Sequence, residues 1–186
     1  RNASKEGTRK IEGPVFRKIG LVECLEAARN HEHYQTPLSG KNCGRGVASG
    51  FWMNRGFHSS CNITVNPDGT VNLIEGSVDI GGSRASISQQ AAETLGIPYE
   101  DVKPTVVDTD SVGYTMVTGG SRTTFATGWA AILAAEDVKE QMVERAAQIW
   151  ETSSNDVQYK GGVISHISDP ELCMTFKELT RQINST

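Results

Sequence analysis

The sequence predicts an α+β protein, a mixed and largely antiparallel sheet packed against helices, including one long helix near 121–150. Three observations carry this. A turn signal, Asn66-Pro67-Asp68-Gly69, joins two runs of alternating polarity. Two segments, Ser83–Leu95 and Ser121–Trp150, have apolar residues at helical spacing. A second short apolar pair, Val157–Tyr159 and Val163–Ser165, is joined across Gly161-Gly162.

The elements follow in order. Residues 1–19 are polar and glycine-containing and read as a flexible connector to a single α+β domain over 20–186. Gly20–Asn30 places Leu21, Cys24, Leu25 and Ala28 on one side of a short helix. The His31-Glu32-His33 run after it has i, i+2 spacing on a helix end, which suits histidines at a helix C-terminus better than convergence on one metal ion. Pro37–Cys43 is a loop. Gly44–Phe57 and Ser60–Asn66 are rich in β-compatible residues and read as strands, and Thr70–Glu75 returns from the turn as the partner of the second. Ser83–Leu95 is a helix stopped by Gly96 before Pro98. Val102–Val107 is a buried strand, and Asp108–Gly120 a loop. The long helix then presents Phe125, Trp129, Ile132, Ala135, Met142, Ala146 and Ile149 as one broad apolar face. Thr175–Ile183 closes the chain as a helix, with Thr175 as cap and Glu178 in capping-box position.

A net charge of −4 over 186 residues, with no basic run, argues against a nucleic-acid binder. No apolar stretch approaches the roughly 18 residues of a membrane span, and no signal-peptide pattern opens the chain, so a soluble, cytoplasmic protein is expected. Cys24, Cys43, Cys61 and Cys173 are scattered without a C-x-x-C pair, which predicts buried free thiols rather than zinc or redox chemistry. The absence of an initiating Met and of a stop signal near Thr186 suggests a piece of a longer chain.

The tetrapeptide Gly-Gly-Ser-Arg occurs twice, at Gly81–Arg84 and Gly119–Arg122, each time between an extended run and a helical pattern. Glycines let the backbone approach a ligand, a serine can cap the helix, and first-turn N–H groups point at whatever lies in front. Ser86 and Gln90 follow the first copy, Thr123 and Thr124 the second. The candidate binding residues are therefore Gly81, Gly82, Ser83, Ser86 and Gln90 with Gly119, Gly120, Ser121, Thr123 and Thr124. Such clusters suit a pterin, phosphate or pyrophosphate. They equally suit plain tight turns with helix caps, and both readings stand. Arg84 and Arg122 either pair with phosphate or form surface salt bridges to Asp79 or Asp108. Glu75 and Asp79 alternate with Val78 and Ile80 as on a strand and read as solvent-facing or turn-stabilising. Neither a P-loop, a G-x-G-x-x-G fingerprint nor a G-x-S-x-G elbow is present, and no catalytic residue is assigned.

Gly44-Arg45-Gly46-Val47-Ala48, the Pro67-Asp68-Gly69-Thr70 hairpin, Glu75–Ala92, Leu95-Gly96-Ile97-Pro98, and Asp108-Thr109-Asp110 through Gly128 together resemble the molybdopterin-binding large subunit of the xanthine dehydrogenase and aldehyde oxidase family. The resemblance runs from about Gly20 to Ile167, and Arg1-Asn2-Ala3 with Ile19–Ala28 resembles the connector before this part. It implies a molybdenum hydroxylase that adds water-derived oxygen to an aldehyde or N-heterocycle, with electrons leaving to iron–sulfur and flavin partners. It also implies molybdopterin, simple or as the cytidine dinucleotide, held without protein ligands to the metal. Gly81, Ser86 and Gln90 match the first family loop. Gly82 stands where a cofactor-contacting Gln is expected, and Ser83 replaces the second Gly. Gly120, Ser121, Thr123 and Thr124 match the second loop. The family's glutamate base lies beyond Thr186, which implies that this piece is inactive alone and completed by the remainder of the subunit. A stand-alone nucleotide- or pterin-binding module, or an interaction module without catalysis, is the alternative.

Overall fold

The computed structural model describes residues 4–10, 13–50, 52 and 55–183. The chain divides into two units, Arg1–Gly50 and Phe51–Thr186. In the first, an antiparallel bridge joins Arg9 to Val15. Helix α1 (Leu21–Asn30) buries none of its residues. A one-turn helix α2 (Glu32–Gln35) follows directly, because His31 both ends α1 and caps α2, its Nδ1 accepting the His33 N–H at 3.1 Å.

The second unit carries the core. Strand β1 (Cys61–Val65) pairs antiparallel with β2 (Val71–Glu75), closed by the expected turn. Asp68 Oδ1 accepts both the N–H and the hydroxyl of Thr70 there. After helix α3 (Ser83–Leu95), strand β3 (Val102–Val106) returns parallel to β2. A strand–helix–strand crossover thus stands inside a largely antiparallel protein. Pro104 sits on β3, the edge of that sheet, where a missing N–H costs no ladder bond. Central β2 alternates buried Val71, Leu73 and Glu75 toward the core.

Helix α4 (Gly128–Ile149) packs mainly on α3. A π-turn over Thr123–Thr127 precedes it, so the regular helix starts later than the sequence pattern indicated. Its inward face agrees with the expected one only in part, at Ala135, Met142 and Ala146. Gly128, Ala131, Ala135, Val138, Met142 and Ala146 are buried, whereas Phe125, Trp129 and Leu133 stand more than half exposed at four-residue intervals. Small residues let the two helices approach closely, which the large ones would prevent.

A second sheet is built from β4 (Val157–Lys160), β5 (Val163–His166) and β6 (Cys173–Thr175), all antiparallel. Strand β6 escaped the sequence pattern. The closing helix α5 (Phe176–Thr180) has the expected capping box between Thr175 and Glu178, but is shorter than 175–183. The β4–β5 hairpin docks on the end of α3, where Tyr159 donates its hydroxyl to Leu95 O at 2.6 Å.

Three further expectations change. The described residues of Gly44–Phe57 form no strand; Phe51, Met53 and Asn54 lie outside the described residues. The four thiols are free, yet Cys24, Cys43 and Cys173 are exposed. Only Cys61 is partly covered, and burial, reinforced by the neighbouring Glu75 carboxylate, pushes its thiol up to about 12. Glu75 is fully buried rather than solvent-facing, its Oε2 accepting the Ser77 N–H at 2.8 Å and the Ser77 hydroxyl.

Candidate functional site

The first glycine turn lies in an irregular segment, since β2 ends at Glu75 and Val78 and Ile80 are exposed loop residues. Gly81 and Gly82 adopt φ of 59° and 86°, conformations that glycine enters without steric cost. Gly82 is the cap position of α3 and brings no side chain to it. Asp79 does that work: its Oδ1 accepts the Arg84 N–H at 3.1 Å and the Ser83 hydroxyl at 3.2 Å. Ser83 is buried and its Oγ also accepts the Ile80 N–H at 3.0 Å, so both of its functions are used within the turn. Gly81, Gly82 and Ser86 remain exposed, and the space before both glycines is open.

The Arg84 N–H, with help from Ser83, holds the Asp79 carboxyl below the usual carboxylate range. A lowered folded-state value means that the cap contributes fully above the unfolded value and is lost as pH falls through the folded one. The Asp79 carboxyl and Arg84 amide NMR shifts are therefore expected to titrate together, with a midpoint below about 3.9. A midpoint at or above that value would show that Asp79 is not the cap.

Gln90 belongs to neither turn. It sits seven residues past Ser83, about 10 Å along the α3 axis, and its Nε2 donates to Thr124 O at 3.4 Å. Its Oε1 occupies the space before Gly128, where a Cβ would stand only 1.9 Å away. Gln90 thus ties α3 to the π-turn.

At the second turn, Gly119, Ser121 and Thr124 are exposed, and none of the described residues lies within 4 Å of where a Gly119 side chain would start. Gly120 (φ 67°) is covered by Arg55, whose Cγ would be 2.9 Å from an added Cβ and whose N–H donates to Gly120 O at 3.2 Å. Ser121 follows at φ 55°, unusual for a residue with a side chain. Thr123 is buried, and its Oγ1 has no hydrogen-bond partner among the described residues. Among the described residues no side chain caps the π-turn.

Neither arginine forms the surface salt bridge that was one reading of it. Arg84 meets Asp79 through its backbone, with its guanidinium outside ion-pair distance among the described residues. Arg122 is almost wholly buried and turned away from solvent. Its Nε donates to Gly56 O at 2.6 Å, Nη1 to Met116 O at 2.9 Å, and Nη2 to His58 O at 2.6 Å and to Ser59 Oγ. Asp108 instead accepts from the Asp110 N–H and the Ser111 hydroxyl of its own loop. The 55–59 segment was the part of this site that sequence reasoning missed. Its left-handed Gly56 and Phe57 (φ 64° and 68°) lie where Arg122 bonds the segment, a contact across more than sixty residues with no local signature.

Residues 22–185 match the molybdopterin cofactor-binding domain family. The chain is 30% identical over 195 residues to the xanthine dehydrogenase molybdenum-binding subunit of Escherichia coli O157:H7, covering 96% of this chain and 26% of that protein. It is 25% identical to the nicotine 6-hydroxylase large subunit of Paenarthrobacter nicotinovorans, covering 86% of this chain and 22% of that one. Among solved structures, reconstituted CO dehydrogenase from Oligotropha carboxidovorans superposes with a TM-score of 0.62 at 30% identity, over 70% of this chain and 16% of that one. The chain spans about a quarter of the length of these curated relatives. It belongs to the molybdopterin cofactor-binding domain family of xanthine dehydrogenase-type large subunits.

Proposed function

We propose that this chain holds the anionic tail of molybdopterin within a molybdenum hydroxylase acting on an aldehyde or N-heterocycle, alongside iron–sulfur and flavin partners. The observation that carries the reading is the second turn. It combines open backbone at Gly119, exposed hydroxyls at Ser121 and Thr124, an uncapped π-turn, and a buried cation behind it. N–H groups at such a helix start and a nearby positive charge favour a phosphate or the pyrophosphate of the cytidine dinucleotide form. The first turn fits less fully. Gly81, Gly82 and Ser86 offer open backbone and a hydroxyl, while Asp79 already takes the Arg84 N–H and places a carboxylate at the mouth.

In this arrangement Gly119, Ser121 and Thr124 bind the tail, Thr123 offers its buried hydroxyl, and Gln90 keeps the π-turn in register with α3. When bound, the molybdenum–pterin group supplies the redox and oxygen-transfer chemistry. The reading assigns the base and the substrate pocket to other parts of the subunit, leaving this piece inactive alone. The exposed Phe125, Trp129 and Leu133 stripe supports a neighbour from that remainder packing on α4.

Pyrophosphate and cytidine diphosphate are expected to raise the melting temperature of the full chain, corresponding to about 2.7 kcal/mol at a hundredfold excess over Kd. Gly119→Val should abolish the shift while leaving the unliganded melting temperature in place, because the site is open and its φ is not left-handed. At Gly120 an added side chain would meet Arg55 on a left-handed backbone, so a substitution there would disturb the turn itself and not report on the ligand alone. No shift with the unaltered chain at millimolar ligand would overturn the anion-binding reading and favour an interaction module.

A further inference from the structure

Arg122 is a buried guanidinium that makes no ion pair with a carboxylate among the described residues. Its partners are neutral: three carbonyls and one hydroxyl, drawn from two segments, 56–59 and Met116. The same segments are also linked by the Met116 N–H, which donates to His58 O at 3.1 Å, and the adjoining Arg55 N–H donates to Gly120 O. Four residues within this knot hold left-handed backbone: Gly56, Phe57, Gly120 and Ser121. For Phe57 and Ser121 that conformation is strained, and it persists only where the surroundings over-determine it.

A planar guanidinium presents several donors in a fixed fork, and charge-assisted bonds to carbonyls are stronger than neutral ones. An ammonium on a flexible stem cannot reproduce that fork. Arg122 is the residue that begins the π-turn, so its charge is held within one side-chain length of the unsatisfied N–H groups and adds to their positive potential. An anion in front of Gly119 and Ser121 would answer a buried charge that the described side chains leave unneutralised.

We propose that Arg122 is a positioning residue for the second glycine turn: it ties segment 56–59 and Met116 to the turn, holds Gly120 and Ser121 left-handed, and biases the face toward anions. It touches no ligand itself. Arg55, exposed and lying against Gly120, becomes the rim of the site, with exposed Phe57 and His58 following it along the chain. This inference rests on the anion-binding reading of the turn, and the test separates the two.

The experiment uses the full chain with Arg122→Met and Arg122→Lys, read by amide hydrogen exchange and by pyrophosphate titration followed at the Gly119, Gly120 and Ser121 amides. In Arg122→Met, exchange at Arg55 and Met116 should rise about thirtyfold or more, while Ile164 in the β4–β5 hairpin keeps its protection. Pyrophosphate affinity should fall about a hundredfold in Arg122→Met and about tenfold in Arg122→Lys, the conservative variant rescuing part of the loss. Should the methionine variant fail to fold, the lysine variant carries both readouts. Unchanged exchange at Arg55 and Met116 overturns the proposal, as does loosened exchange with undiminished pyrophosphate affinity. If the unaltered chain binds no pyrophosphate, the anion-binding reading fails, and with it the electrostatic half of this proposal. The tie itself then stands or falls on the exchange data.

Discussion

Gly96→Ala is expected to destabilise the chain by about 2–5 kcal/mol, combining a left-handed backbone penalty with overpacking. Gly96 ends α3 at φ 67°, where its N–H and that of Ile97 reach back to the Glu93 and Ala92 carbonyls. An added Cβ would stand 2.3 Å from Gly162 N and 2.4 Å from Gly161 C. These are backbone atoms of the β4–β5 turn, so neither can rotate away. Gly161→Ala is the internal control. It shares a left-handed φ of 56° but has nothing within 4 Å, so only the backbone penalty of about 1–2 kcal/mol applies. Chemical denaturation of both variants decides the matter. Equal losses would mean that the α3–hairpin contact is not tight, and that the far end of α3, which carries the first glycine turn, is anchored by something else.

For Glu75→Ala the expected loss is about 3 kcal/mol. The carboxylate is fully buried on the central strand and accepts both Ser77 donors. Truncation leaves those donors without a partner and opens a cavity between the sheet and the helices. Glu75→Gln keeps one oxygen for Ser77 and should cost about 1 kcal/mol. Thermal unfolding of the pair checks this ordering. A stable alanine variant would show that Ser77 finds water, and that the 76–80 segment leading to the first glycine turn does not depend on Glu75.

How far the site was legible follows the range of the forces involved. The Pro67-Asp68-Gly69 turn, the Gly96 stop and the Thr175–Glu178 capping box each depend on residues a few positions apart, and each is present. The helix segments were legible from periodicity, and the inward face of α4 was legible in part. Hydrophobicity named Ala135, Met142 and Ala146, which are buried, but also Phe125 and Trp129, whereas close helix packing selected Gly128 and Ala131. Both glycine turns precede helices as expected, but Asp79 rather than Ser83 carries the first cap, and Gln90 reaches across to Thr124.

By itself the sequence determined the α+β class, the helix and hairpin positions and the family, because propensity, turn chemistry and motif order are local or collinear properties. Tertiary structure alone decided the parallel return of β3, the burial of Glu75, and the inward turn of Arg122 onto Gly56, His58 and Met116. A buried charged group must find partners wherever the folded chain supplies them. For Arg122 most of those partners lie more than sixty residues away, where no local pattern records them.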